Sequence, residues 1–341
     1  MGKDVNRQWL LKSRPPAEPE AGNFELVEQP IPVPGDGEVL VKSIYLSLDP
    51  YMRGRMREGK SYVPPVEIGA VMEGGVVAQV IASKNPKFAE GDVVEGLFGW
   101  QEYALSDGKS ARKVDASLAP ISTAVGILGM PGMTAYFGLT EVGEPKEGET
   151  VLVSAASGAV GGLVGQIAKI KGCRTVGIAG GPEKCAYIKS ELGYDAAVDH
   201  RAGSDMRKAL KAACPDGIDV YFDNIGGPTL ETVLSLINLH ARIAICGMIS
   251  EYNLTAPELV PRATRSLLVN RARMQGLIVF DWAARYPEGM RQMATWIKEG
   301  KLKYREDILD GFENMPGALI RVLRGQNFGK QLVRAADDPT A

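Results

Sequence analysis

Small residues at fixed spacing lie within residues 150–172, TVLVSAASGAVGGLVGQIAKIKG, and the chemistry they suit is phosphate binding. Ala156-x-Gly158-x-x-Gly161 follows the dinucleotide pattern, with alanine in the first place. By itself such a turn fits any α/β protein. Between a strand and a helix, however, it aims free N–H groups and the positive end of a helix dipole at a pyrophosphate. An NAD-binding chain carries a carboxylate about 20 positions further on, for the ribose hydroxyls. Counting from Gly158 reaches Ala179-Gly180-Gly181, and Lys184 follows shortly after. Without the carboxylate a 2′-phosphate meets no repulsion, and the ammonium attracts it. The pattern favours NADPH over NADH.

The elements around the turn suit that role. Val151, Leu152 and Val153 predict a buried strand. Val160, Leu163, Val164, Ile167 and Ala168 have helical spacing, and Gly172 can end the helix. Strands and helices then alternate. Strands are expected at Thr175–Ala179, Ala196–Asp199, Val220–Asp223, Arg242–Cys246 and Met274–Phe280. Between them come a helix opened by Pro182 and closed by Gly193, one capped by Ser204 and reaching Ala213, an amphipathic one at Leu230–Leu239, and one at Glu288–Lys298. With the fingerprint strand this makes the strand count of a Rossmann fold.

Upstream, residues 1–120 read as mostly β, with short runs at Phe24–Glu28, Val39–Leu46, Val66–Glu73, Val76–Ala82, Val93–Leu97 and Glu102–Leu105. Gly and Pro clusters punctuate them, as in a compact antiparallel barrel. SLDPYMRGRM, residues 47–56, reads as a loop and short turn. Helical pieces follow at Ala124–Leu128 and Met133–Leu139. Near the end, Pro316–Leu323 reads as helix and Gln331–Arg334 as a strand able to rejoin the first domain.

Length and composition bound the function. A chain of 341 residues, 45% hydrophobic, predicts two globular domains. The net charge is −2, from 39 basic and 41 acidic residues without a basic block, so nucleic acid and membrane are not expected partners. Met1–Pro16 lacks an apolar core, and a cytoplasmic protein is expected. Cys173, Cys185, Cys214 and Cys246 have no C-x-x-C spacing, and His200 and His240 are the two histidines. Neither a structural disulfide nor a metal site is expected.

AASGAVGGLVGQIAKIKGC, GGPEK, YFDNIGG, ARIAICGMISEYN and NFGKQLVR, with YLSLDPYMRGRM upstream, resemble the zinc-free medium-chain dehydrogenase/reductases. Within them the chain is most similar to the leukotriene dehydrogenase/prostaglandin reductase group and its bacterial NADPH-dependent curcumin reductases. The resemblance spans nearly the whole chain in the same order. It implies a GroES-like, β-rich catalytic domain over residues 1–123, completed by 312–341, and a Rossmann domain with a doubly wound parallel sheet over 124–311. It further implies a homodimer, often paired through the last Rossmann strand, and reduction by NADPH of a carbon–carbon double bond conjugated to a carbonyl. Where zinc-dependent relatives have Gly-His-Glu, this chain reads Gly69-Ala70-Val71-Met72-Glu73. Alcohol chemistry that needs a metal to polarise oxygen is therefore disfavoured.

The resemblance places cofactor contacts at Gly158, Ala159, Val160 and Gly161 for the pyrophosphate, and at Lys184 for the 2′-phosphate. Asn224 falls at the nicotinamide side. Cys246, Gly247, Ile249, Ser250 and Tyr252 run along the ribose and diphosphate. Leu277, Ile278 and Val279 flank the nicotinamide amide, and Asn327 reaches back from the tail. His200 stands where mammalian members have tyrosine, and Val269 where they have another tyrosine near the cofactor. Hydride transfer to an enone leaves charge on the carbonyl oxygen and requires a proton at the α-carbon. Tyr62, Tyr252 and Tyr51 are candidate donors, beside a ribose hydroxyl or water. Arg53 and Arg55 suit either an acidic substrate or loop contacts, and Met56, Trp100 and Met130 either an apolar wall or core. A quinone reductase on the same fold, or a nucleotide-binding protein without turnover, are the alternative functions.

Overall fold

Val151, Leu152 and Val153 are wholly buried, as a strand flanked on both edges and covered on both faces requires. The computed structural model describes residues 5–203, 205–260, 262 and 264–341. Ser204, expected as a helix cap, lies outside them. The chain is α/β and divides into two units, Met1–Gly126 with Glu306–Ala341, and Ile127–Arg305.

In the first unit, β1 (Val5–Leu11) pairs antiparallel with β2 (Phe24–Pro30). β3 (Val39–Ser47) leads into α1 (Tyr51–Arg55), a single turn. β4 (Val76–Ser83), β5 (Val93–Gly96), β6 (Tyr103–Ser106) and β7 (Arg112–Lys113) follow. Val66–Glu73, expected as a strand, forms none. Gly69 has φ +83°, and the segment is held by separate backbone bonds, Met72 N–H to Trp9 at 2.9 Å and Gly69 N–H to Leu11 at 2.8 Å.

The second unit opens with α2 (Met130–Phe137). The helix expected at Ala124–Leu128 is instead a 3₁₀ turn at Ile121–Val125, stopped at Gly126 with φ −125° and ψ −115°. Then come β8 (Thr150–Val153), α3 (Gly161–Ile170), β9 (Arg174–Ala179), α4 (Pro182–Ser190), β10 (Ala196–Asp199) and α5 (Met206–Ala213). Asp205 caps α5 by accepting from Lys208 N–H. β11 (Ile218–Asp223), α6 (Gly227–Leu234), β12 (Ile237–Ile245), α7 (Thr264–Asn270), β13 (Arg273–Gly276) and α8 (Tyr286–Lys298) complete the unit. Several expected boundaries move: the strand placed at Arg242–Cys246 starts at Ile237, and the helix placed at Met133–Leu139 runs Met130–Phe137. The helix placed at Leu230–Leu239 ends at Leu234, because Ile237 already pairs with Ile218; the strand then slips register where His240 takes φ +61°. The strand placed at Met274–Phe280 ends at Gly276, and Val279 starts a 3₁₀ turn.

The second unit's sheet has the order β10-β9-β8-β11-β12-β13, parallel throughout. In the unit's own numbering that is 3-2-1-4-5-6, the Rossmann order, with its switch point between β8 and β11. All strands present their carboxyl ends to one edge.

The tail returns to the first unit. β14 (Glu306–Asp310) lies parallel to β15 (Lys330–Arg334), with α9 (Met315–Leu323) between them. β15 pairs antiparallel with β3, so the order becomes β14-β15-β3-β4-β5-β7, with β6 also on β3. Met52, Met56, Trp100, Phe312 and Leu319 are among the fully buried side chains that fill this unit. Met56 and Trp100, weighed above as an apolar wall, are therefore core.

A buried ion pair ties the tail down. Lys330 Nζ donates to Asp49 Oδ1 at 2.7 Å and to the Leu48 carbonyl at 2.9 Å, and Ser47 Oγ donates to the other carboxylate oxygen. Replacing one member of a buried pair strands the other charge. Lys330→Met is expected to cost the first unit about 3–5 kcal/mol, read as a lower urea midpoint than the wild type; an unchanged midpoint would show that the pair contributes nothing.

Candidate active site

The turn after β8 is built by close approach. Ala155 takes φ +50°, and its carbonyl accepts the Gly158 N–H at 2.9 Å. A Cβ on Gly161 would lie 2.4 Å from that carbonyl oxygen, so the first helical residue has to be glycine. α3 has no side-chain cap. As at any helix start, the first N–H groups of α3 have no acceptor within the helix itself. A bound anion satisfies such groups, and the cradle therefore fits a pyrophosphate.

At the carboxyl ends of β9 and β10 the site is cationic. Asp199 Oδ1 accepts from the backbone N–H of both Gly181 and Arg201 at 2.8 Å, which fixes the two loops together. A Cβ on Gly180 would sit 2.8 Å from His200 Nε2 and 2.9 Å from Arg201 Nε, so both side chains close over that glycine. The imidazole of His200 is pushed below its ordinary value by burial first and then by the charge of Arg201; Lys184 adds to this against the pull of Asp199. Lys184, His200 and Arg201 thus form one cluster. Arg201 escaped the sequence reading, although a basic residue just past the third strand's carboxyl end was a usable signal.

At the switch point the loops are stitched together. Asn224 Nδ2 donates to the Ser154 carbonyl, and Asn224 N–H to Ser154 Oγ, both at 2.8 Å. Ser154 Oγ donates in turn to Asp223 Oδ1 at 3.0 Å. The segment after β12 is bound to the same place. Cys246 and Gly247 donate their N–H to the Asp223 carbonyl at 2.8 and 3.1 Å, and Ile249 donates to the Asn224 carbonyl at 3.3 Å. Ser250 Oγ donates to the Ile225 carbonyl at 2.7 Å, and the Tyr252 hydroxyl accepts from Met248 N–H at 3.3 Å. Burial, with the nearby Asp223, pushes the Cys246 thiol up to about 12. Leu277 and Val279 are buried beside this segment's strand, and Leu277 N–H reaches the Ile245 carbonyl at 3.1 Å.

The second unit therefore carries Gly158 to Gly161, Asn224, and Cys246 to Tyr252 at the carboxyl-end edge of its sheet, with Lys184 and His200 just past β9 and β10. Val269 is an exposed residue of α7. Asn327 belongs to the first unit, where its Nδ2 donates to the Gly329 carbonyl at 2.8 Å. Tyr51 and Tyr62 belong there too. Tyr62 is exposed. Tyr51 is half-buried; burial first, then Asp49, Glu73 and Tyr62, push its phenol far up. Arg53 is fully buried and donates to the carbonyls of Pro15 and Ala17 at 3.2 and 2.6 Å. Arg55 pairs with Glu73. Both arginines thus make loop contacts. Among the described residues no group of three or more His, Cys, Asp or Glu is placed to hold a metal ion, and no helix is long and apolar enough to cross a membrane.

Residues 7–114 match the family model for the N-terminal domain of oxidoreductase, and residues 159–298 the model for zinc-binding dehydrogenase. The NADPH-dependent curcumin reductase of Escherichia coli is 48% identical over 98% of this chain and 99% of its own. The NADP(+)-dependent 2-alkenal reductase of Nicotiana tabacum is 47% identical, over 98% of this chain. The crystal structure of CurA from Vibrio vulnificus in complex with NADPH superposes with a TM-score of 0.93 at 48% identity, covering 97% of this chain and 100% of that one. With the parallel-sheet order and the glycine cradle, these likenesses place the chain in the medium-chain dehydrogenase/reductase family.

Proposed function

We propose that this chain is a zinc-independent, NADPH-dependent reductase of the carbon–carbon double bond in α,β-unsaturated ketones and aldehydes, curcumin-like enones included. The observation that carries the coenzyme choice is the cluster of Lys184, His200 and Arg201 at the carboxyl ends of β9 and β10. Two permanent cations and an imidazole suit a dianionic 2′-phosphate. Asp199, the carboxylate of these loops, is engaged by two backbone N–H groups. The relatives named above as reductases, similar over nearly their full length, support the reaction class.

When bound, NADPH would supply the hydride equivalent that such a reduction needs. The chain's own tasks are then to orient it and to answer the charge that develops on the substrate's carbonyl oxygen. The Ala159–Gly161 N–H groups hold the pyrophosphate, and Asn224 with the Cys246–Tyr252 segment orients the nicotinamide half. Leu277, Ile278 and Val279 would flank it, and the family resemblance assigns Asn327 to the coenzyme as well. Tyr252, whose hydroxyl already accepts from Met248 N–H, serves that segment. Tyr62 is the proton donor in this reading, because its phenol is exposed while that of Tyr51 is packed among Asp49, Glu73 and Arg55. Tyr51 stays protonated and stands as a hydrogen-bond donor.

The working unit is a homodimer in the cytoplasm. β13 has every residue exposed, and among the described residues its outer edge carries no partner strand. Met274 on the strand and Leu268 and Val269 on the preceding α7 are exposed apolar side chains. An edge of this kind is covered by pairing. The four cysteines are unpaired, as a reducing compartment requires.

Lys184→Ala is expected to raise the KM for NADPH at least tenfold more than that for NADH; equal changes would remove Lys184 from the 2′-phosphate site. Tyr62→Phe is expected to slow turnover of a simple enone about 10²-fold with NADPH affinity unchanged, and an unaltered rate would exclude it as donor. Running 1,4-benzoquinone beside the enone, with products identified by mass, separates a quinone reductase. Met274→Lys is expected to turn the dimer into monomer in sedimentation; a wild type that sediments as monomer would refute the pairing.

A further inference from the structure

Asp223, the last residue of β11, is fully buried. Its Oδ1 accepts from Ser154 Oγ at 3.0 Å, the Tyr221 hydroxyl at 2.8 Å, Ile225 N–H at 2.9 Å and Gly226 N–H at 3.1 Å. Gly226 N–H also reaches Oδ2 at 3.2 Å. Every partner is a donor, so the carboxylate oxygens serve as acceptors throughout. Among the described residues none of the ion pairs includes it. A buried charge without a counter-ion is costly unless something else offsets it.

Its position suggests what does. The Ser154–Asp223 bond spans β8 and β11 at the switch point, where dinucleotides cross the sheet edge. Residues on either side of Asp223 in space are those read above as the nicotinamide side. The nicotinamide ring is neutral when reduced and positively charged when oxidised. We propose that Asp223 is a positioning residue whose fixed negative charge makes this site hold oxidised coenzyme more tightly than reduced, and so favours hydride donation. The inference rests on the reading that the nicotinamide half lies beside Asn224. Asp223 acts through the loops it organises and through its field, not by touching the reacting atoms.

Direct binding of NADP⁺ and NADPH to the full-length Asp223→Asn protein, by calorimetry or fluorescence without substrate, tests this. NADP⁺ is expected to weaken about tenfold more than NADPH, the size of a unit-charge effect at several ångströms in a partly polarisable interior. If both weaken by one factor, Asp223 merely holds the loops, and the inference fails while the nicotinamide placement stands. If neither changes, the nicotinamide does not lie here, and both fail. Should Asp223→Asn not fold, Tyr221→Phe removes one donor and leaves the charge. NADP⁺ is then held at least as tightly relative to NADPH as in the wild type, and a fall in that ratio would overturn the inference.

Discussion

The nucleotide unit depends on how closely α3 is pressed onto its sheet. Tyr194 is fully enclosed beneath the helix, and its hydroxyl donates to the Gly161 carbonyl at 2.6 Å. A Cβ on Gly165 would lie 1.9 Å from the Tyr194 ring, and one on Gly177 would lie 2.7 Å from the Ala156 side chain. Together with the Gly161–Ala155 approach, these contacts fix the height and the tilt of the helix start. The N–H cradle faces the sheet edge only because the helix cannot lift away. The phosphate site is therefore a consequence of packing more than of any polar side chain, and it needs no cap residue on α3.

Much of this was readable because it is local. Most strands of the parallel sheet, such as β9 and β10, are short runs rich in Val, Ile and Ala, and their alternation with helices implies the topology. Pro182 and Gly193 bracket α4 for reasons contained in their own backbones. The misses are non-local. β1 escaped notice because only Asn6 and Leu11 of its residues are fully buried, which leaves no period of two. β14 reads as an acidic stretch, and becomes a strand through its ladder to β15. Val66–Glu73 has strand composition, yet the backbone partners available to it come singly. Asp223 read as the end of a strand, since the serine that gives it meaning is 69 positions away.

Within the second unit, charge is distributed along the sheet edge. Beyond the carboxyl ends of β9 and β10 stand Lys184 and Arg201. At the switch point, between β8 and β11, stands a buried carboxylate with donors on all sides. An edge that is positive at one place and negative at another suits a ligand whose own ends differ. A phosphorylated adenosine end and a pyridinium end differ in that way. A symmetric or uniformly anionic ligand would gain from the first feature and lose to the second.

That asymmetry bears on direction as well as on affinity. A site that only grips phosphates holds both redox forms alike, and contributes nothing to the hydride step. A fixed anion near the pyridine ring distinguishes the forms by the one charge in which they differ. Water would screen such a charge, and salt would screen it further, if it were exposed. Burial removes that screening, and two hydroxyls and two backbone N–H groups donate to the carboxylate without adding a compensating cation. The same bonds tie the loop after β8 to the loop after β11, and the main-chain carbonyl of Asp223 holds the segment after β12. Geometry and field thus come from one side chain, and an asparagine placed there would keep an accepting oxygen for the first while losing the second.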